Sequence, residues 1–169
     1  MFALRYFYQN RMIYLNRCLE TVIVLVIILC TGCASVPEIK PAAHLPVTRP
    51  ATVDYALSLQ GIRYQYGKDS PQEGFDCSGF VKHVYQHQGI KLPRTTTEMA
   101  RSLREVPKHD VHSGDLVFFN TNGKPFSHVG IYVSNDDFIH APSQRTGRVL
   151  VSSLKNQYWK KHFTGVRRP

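Results

Sequence analysis

Acidic residues are scarce in this 169-residue chain: 12 Asp and Glu stand against 21 Lys and Arg, for a net charge of +9 with histidine neutral. Such an excess suits an anionic neighbourhood, whether wall polymer, acidic lipid headgroups or nucleic acid. The basic residues are scattered, however, and neither a long basic run nor a nucleic-acid-binding motif is present, so nucleic acid is not expected as a partner. Also missing is an apolar run of the roughly 20 residues that span a bilayer as a helix; Thr21 to Leu29 falls well short. There is no internal repeat and no H-E-x-x-H pattern, so His83 and His87, four apart on one expected helix, are not read as a metal pair, and neither a metal nor a cofactor is implied. What remains, 43% hydrophobic and 20% charged, is the composition of an ordinary globular protein with room for one domain and a real core.

The short apolar run follows basic residues and reads as the core of a signal peptide covering residues 1–32. Met12 opens a more typical leader than Met1 does. Directly after the run, Cys30-Thr31-Gly32-Cys33-Ala34-Ser35 resembles the lipobox of bacterial lipoproteins, in which the cysteine after the cleavage point receives the lipid. Cys33 is therefore the expected lipidation site, with Cys30 standing where that pattern usually has Leu. Without residues 1–32, which hold Arg5, Arg11, Arg17 and Glu20, 18 basic and 11 acidic residues remain and the net charge is +7. Residues 33–50 carry Pro37, Pro41, Pro46 and Pro50 among small and polar residues, the composition of an extended tether. The folded domain is expected over residues 51–169.

Cysteine is the scarcest reactive residue here. Of four, Cys18 and Cys30 would leave with the signal and Cys33 would be consumed by lipid, so Cys77 remains as the one thiol of the mature chain. An exported protein cannot use a single cysteine for an internal disulfide, although its compartment favours them. Cys77 lies in Gly74-Phe75-Asp76-Cys77-Ser78-Gly79-Phe80-Val81, where a turn passes into a helix; Phe80, Val81, Val84 and Tyr85 recur at helical spacing until Gly89. A cysteine in a helix's first turn meets unpaired N–H groups and the positive end of the macrodipole, which favour thiolate, the attacking form. The plainer alternative is a small buried hydrophobe.

The rest of the domain divides by period. Thr52 to Gln60 predicts a short amphipathic helix stopped by Gly61, and Thr95-Thr96-Thr97-Glu98 fits a capping box that opens a helix through Leu103 or Arg104. Beyond Ser113-Gly114-Asp115 the pattern turns to strands at Leu116–Phe119, Val129–Val133, Phe138–Ala141, Arg148–Val151 and Gly165–Arg168, with Ser134-Asn135-Asp136-Asp137 as a hairpin turn. Helices first and strands later predict an α+β domain built on an antiparallel sheet.

A cysteine nucleophile needs a base that accepts its proton and returns it to the leaving amine, which near neutral pH means histidine. Of eight histidines, His128 and His140 sit on the two arms of one predicted hairpin. A register that pairs His140 with His128 or Gly130 turns both imidazoles to one face, while a slip of one residue separates them. His140 could then orient His128, the third member of a triad. Cys77, His128 and His140 would also make a plausible zinc ligand set, a rival on chemistry alone. His44, His109, His112 and His162 fall in polar surroundings and are read as solvated.

Six blocks in order, Arg63-Tyr64-Gln65-Tyr66-Gly67, Gly74 to Val81, Leu92-Pro93-Arg94-Thr95-Thr96, Gly114 to Phe119, Ser127-His128-Val129-Gly130-Ile131-Tyr132 and Phe138-Ile139-His140-Ala141, resemble the NlpC family of bacterial cell-wall peptidases. Tyr158-Trp159 and Gly165 to Arg168 fit its end. The resemblance implies a papain-like fold, Cys77 as nucleophile, His128 as base and His140 as the orienting third residue. It places Tyr64 on a tyrosine thought to stabilise the oxyanion or position substrate, and Asp76 and Ser78 on positions that contact the peptide in relatives, although both residues also cap helices. Relatives usually carry Gly-Gly where this chain has Gly67-Lys68, and one extra residue separates Tyr64 from Cys77, which makes Tyr66 the fallback for Tyr64. The implied substrate is the peptidoglycan stem peptide, cut at D-glutamyl-diaminopimelate or at a D-alanyl-diaminopimelate cross-link. The expected setting is the cell envelope, with a monomer held through the N-terminal lipid, palmitate included, to the outer membrane and facing the periplasm. A non-catalytic wall-binding lipoprotein and an acyltransferase on the same fold are the alternatives.

Overall fold

A computed structural model describes residues 49–169; the expected signal segment, Cys33 and most of the expected tether lie outside the described residues. Helix α1 (Ala51–Ser58) buries Val53 and Ala56. A two-residue hairpin, β1 (Asp69–Ser70) with β2 (Gly74–Phe75), leads into α2 (Cys77–His87). The buried face of α2 is formed by Phe80, Val81, Val84 and Tyr85, the residues whose spacing predicts the helix, and Gly89 follows its end at φ +78°. Helix α3 (Thr96–Ser102) has the predicted capping box complete, with Glu98 N–H donating to Thr95 Oγ1 at 3.3 Å and Thr95 N–H to Glu98 Oε2 at 3.2 Å.

Six antiparallel strands follow: β3 (Arg104–Val106), β4 (Leu116–Phe119), β5 (His128–Ser134), β6 (Asp137–His140), β7 (Leu150–Ser153) and β8 (Phe163–Arg168), arranged β3-β8-β4-β5-β6-β7. Because side chains alternate across a strand, the sheet has two apolar faces. Leu116, Phe118, Val129, Ile131 and Ile139 pack with Phe80, Val81, Val84 and Met99 of the helices. Val117, Phe119, Tyr132, Phe138 and Val166 form a second cluster with Leu154, Trp159 and Phe163 on the far side. Strand β4 is buried on both faces, which is why Leu116-Val117-Phe118-Phe119 is apolar throughout instead of alternating. The result is an α+β domain, as predicted.

Three elements differ from expectation. The strand expected at Arg148–Val151 runs from Leu150 to Ser153, while Arg148 makes only an isolated bridge to Arg63. Strand β3 was not predicted: Arg104 and Glu105 are exposed on the sheet edge, so the segment lacks an apolar signal. Helix α4 (Gln157–His162), capped by Asn156 through the Tyr158 N–H, is too short to show a period.

The element that matters most for position is the β5/β6 hairpin. Its turn uses Asn135 and Asp136 at φ 53° and 69°, and its register places Ile131 opposite Ile139 and Tyr132 opposite Phe138. Continued by one pair, that register sets His140 opposite Gly130. A Cβ on Gly130 would lie 2.7 Å from the Phe138 ring, 3.0 Å from the Ile139 carbonyl oxygen and 3.1 Å from His140 Cβ. Gly130→Ala is therefore expected to destabilise the fold by roughly 1–3 kcal/mol through overpacking and to lower the urea midpoint; an unchanged midpoint would show that the hairpin can yield.

Candidate active site

Residue by residue, the site is assembled from the start of α2, the start of β5, the end of β6 and the loop before β1. Asp76 is the N-cap of α2 and accepts from the Gly79 N–H at 2.7 Å, so the following residue, Cys77, begins the helix as predicted. Cys77 is a free, half-buried thiol. Together with Tyr64, Tyr66, Asp76, Ser78, Arg94 and His128 it lines a cleft of about 570 Å³, a size that suits a peptide segment.

His128 and His140 are both buried, and His128 Nε2 lies 2.7 Å from His140 Nδ1. The register thus turns both imidazoles to one face. With its Nε2 spent on His140, His128 has Nδ1 left for the cleft. The facing nitrogens bond each other, and among the described residues no cluster of three or more His, Cys, Asp or Glu is arranged to hold a metal. Behind the pair, Trp159 stacks on His128 with ring centroids 5.6 Å apart and meets His140 edge-on at 4.9 Å, while Phe119 and Phe138 close the same wall. The chain reaches His128 through Phe126, which has φ 57°, makes an edge contact with Phe118 and has the Arg167 guanidinium 5.3 Å from its ring centroid.

Asp76 and Ser78 line the cleft, but their polar atoms are heavily engaged. The Asp76 carboxylate accepts from the Gly67 and Gly79 N–H groups, from Ser78 Oγ and from both Arg94 terminal nitrogens, the last at 3.0 and 2.7 Å. Arg94 also donates to Ser78 Oγ at 2.9 Å. Capping and clamping are what these two side chains do within the fold. Arg94 was not singled out by sequence reasoning, although it stands in the Leu92-Pro93-Arg94-Thr95-Thr96 block. Trp159 was likewise noticed only as part of the terminal block.

Of the two tyrosines, Tyr64 is partly buried against the core and lines the cleft with Cys77, whereas Tyr66 is 79% exposed. Burial, then the neighbouring Cys77 and Asp76, pushes the Tyr64 hydroxyl's pKa above its ordinary value, so it stays a donor at neutral pH. His83 and His87 serve the α1–α2 contact: His83 Nε2 is 2.9 Å from Tyr55 Oη, and His87 stacks on the Tyr55 ring at 3.7 Å.

The protonation states differ from the sequence expectation of a thiolate. Backbone N–H groups of Val129, Ser78 and Cys77 favour the anion, but burial, followed by the Asp76 carboxylate, pushes the Cys77 thiol up to about 11. Burial holds His128 down to about 4, and burial plus His128 holds His140 well below the ordinary imidazole range. Without substrate the site is a neutral thiol beside a neutral imidazole.

Against known proteins, residues 61–168 match the NlpC/P60 family. The chain is 42% identical over 134 residues to the murein DD-endopeptidase MepH of Escherichia coli, covering 75% of this chain and 49% of MepH. It is 38% identical to the probable endopeptidase NlpC of the same organism, covering 86% of this chain and 96% of that protein. Among solved structures, an NLP/P60-family protein of Staphylococcus aureus, described as similar to lipoprotein, superposes with a TM-score of 0.62 at 34% identity, covering 69% of this chain and 39% of that one. The fold is thus α+β and papain-like, as the six blocks implied.

The neutral pair has a measurable signature. Alkylation of Cys77 by iodoacetamide in the substrate-free protein should accelerate steadily from pH 6 to 10 as the thiolate fraction rises toward the thiol's value of about 11. A rate plateau near neutrality would instead reveal a preformed thiolate–imidazolium pair.

Proposed function

The chain belongs to the NlpC/P60 family, and from that premise we propose that it is a peptidoglycan endopeptidase hydrolysing stem-peptide amide bonds through a cysteine thioester. The observation that carries the reading is the sharing of one cleft by Cys77 and His128, with His128 Nε2 held 2.7 Å from His140 Nδ1. Relatives named as murein endopeptidases support the substrate class.

As a peptide carbonyl approaches, the thiol proton passes to His128 Nδ1 while sulfur attacks carbon. Timing the transfer with attack suits a pair that rests neutral. The oxyanion forms beside the first N–H of α2 and the Tyr64 hydroxyl, donors fixed before reaction. The His128 imidazolium, which donates from Nε2 to His140, returns the proton to the departing amine, leaving a thioester and a free amine. Water then attacks the thioester with His128 as base, and the carboxylate product and thiol are restored. Both candidate bonds, D-glutamyl-diaminopimelate and the D-alanyl-diaminopimelate cross-link, place a D-residue carbonyl at the sulfur and a diaminopimelate amine at His128. Asp76 and Ser78 belong to the frame that holds this end of the cleft and present their backbone to the peptide.

For placement, the reading includes export, lipidation of Cys33 with palmitate among its acyl chains, and residence of a monomer at the outer membrane facing the periplasm, the tether of residues 33–50 giving the domain over residues 51–169 its reach to the wall. The excess of basic over acidic residues adds attraction to wall carboxylates.

Digestion of purified muropeptides followed by mass spectrometry tests the activity and identifies the bond together. Wild-type protein should convert cross-linked or tetrapeptide substrates to pairs of fragments whose summed mass exceeds the substrate's by one water. Cys77→Ala should lose activity by at least about 10³-fold, the scale of removing a nucleophile. Equal product formation by the Cys77→Ala protein would exclude the thioester route.

A further inference from the structure

The hydrogen-bond logic of the two histidines extends to a residue that no motif marks. His140 turns Nδ1 to His128, and its other nitrogen, Nε2, lies 2.9 Å from Ser152 Oγ. Ser152 reaches this point because β7 pairs with β6 in a register that sets it opposite Phe138, two residues before His140 on the same face. His140 is fully buried and Ser152 is half-buried.

We propose that Ser152 is a positioning residue that, by accepting from His140 Nε2, makes the active tautomer of His140 available and, through it, that of His128. The inference rests on the reading of Cys77 as nucleophile and His128 as its base. For His128 to take the thiol proton, its Nδ1 must be bare, so its hydrogen sits on Nε2 and is donated to His140 Nδ1. His140 Nδ1 is then an acceptor, and the His140 hydrogen sits on Nε2. That N–H is buried and needs an acceptor, which Ser152 Oγ supplies with a lone pair while its own hydrogen rotates away.

The reversed arrangement disables the site. If His140 carried its hydrogen on Nδ1 it would donate to His128 Nε2, and His128 would hold its hydrogen on Nδ1 with nowhere to place the thiol proton. Removing the hydroxyl from position 152 leaves the active arrangement with an unpaired buried N–H, whereas the reversed one leaves only a bare ring nitrogen. Unpaired buried donors are the more strongly avoided of the two. The hydroxyl therefore removes the penalty that would otherwise turn both rings the wrong way. The same geometry holds when His128 becomes an imidazolium, since His140 still accepts at Nδ1 and no proton need leave it.

Ser152→Thr and Ser152→Val test this in the full chain, because the two variants have the same shape in a strand and differ only in the hydroxyl. The threonine variant should retain wild-type kcat. The valine variant should lose about 10- to 100-fold in kcat, the scale of stranding a buried donor, with KM little changed. Imidazole ¹⁵N shifts of the substrate-free proteins should show His128 bare at Nδ1 in wild type and in Ser152→Thr, and protonated there in Ser152→Val. Equal kcat in the two variants, at any level, or the same His128 tautomer in both, would overturn the proposal. The tautomer measurement needs no turnover. Activity that survives Cys77→Ala would therefore count against the nucleophile without deciding the role of Ser152.

Discussion

The register between β5 and β6 is the constraint on which the candidate site depends. Pairing Ile131 with Ile139 keeps Val129, Ile131 and Ile139 against the helices, and by the same alternation sends His128, Gly130 and His140 to the opposite face. A slip of one residue would drive β-branched side chains into the aromatic cluster on the far face and separate the imidazoles at once. Core burial and site geometry are therefore specified together, and the hydrophobic cost of the wrong register protects the relay. Gly130 belongs to the same constraint, since the space its side chain would fill is taken by the Phe138 ring and His140 Cβ.

Asp76 plays the corresponding part at the other half of the site. One carboxylate caps α2, holds the Gly67 turn that follows Tyr64, and binds Arg94 ahead of α3. Cys77, Tyr64 and the third helix are thus referred to a single anion next to the sulfur. That anion has an electrostatic consequence: it contributes to raising both Cys77 and Tyr64. Pairing with Arg94 through two parallel bonds offsets part of its charge, so the fold gains a rigid frame at a moderated cost to thiolate formation.

What could be read from the sequence follows from how local each signal is. The Thr95–Glu98 capping box, the α2 face and the Asn135-Asp136 turn are encoded within a few residues, and each forms as read. Cys77, His128 and His140 could be selected because thiol chemistry needs a base and few side chains qualify. Ser152, Arg94 and Trp159 could not. Nothing about a serine in an unremarkable strand marks it until the β6/β7 register brings it to His140. Arg94 reads as one more basic residue until the fold carries it 18 positions back to Asp76. Strand β3 was missed for a related reason: an edge strand with two exposed charged residues is held by its partner β8 and not by its own pattern.

The expectation of a thiolate erred through magnitude, since Cys77 does sit at the helix start. A helix terminus supplies roughly 0.3–1 kcal/mol to a nearby charge, whereas lifting a thiol from 9 to about 11 disfavours the anion by roughly 3 kcal/mol. Burial and Asp76 outweigh the helix end. The imidazole is displaced in the complementary direction, because burial disfavours its cation. Charge separation at rest is then opposed at both ends; in the proposed reaction the ion pair forms only as a carbonyl converts the sulfur's charge into an oxyanion held by donors. A site of this kind keeps a thiol little prone to oxidation in an oxidising compartment and activates it only under substrate. On the proposed reading, such a thiol persists as a nucleophile where disulfides are favoured.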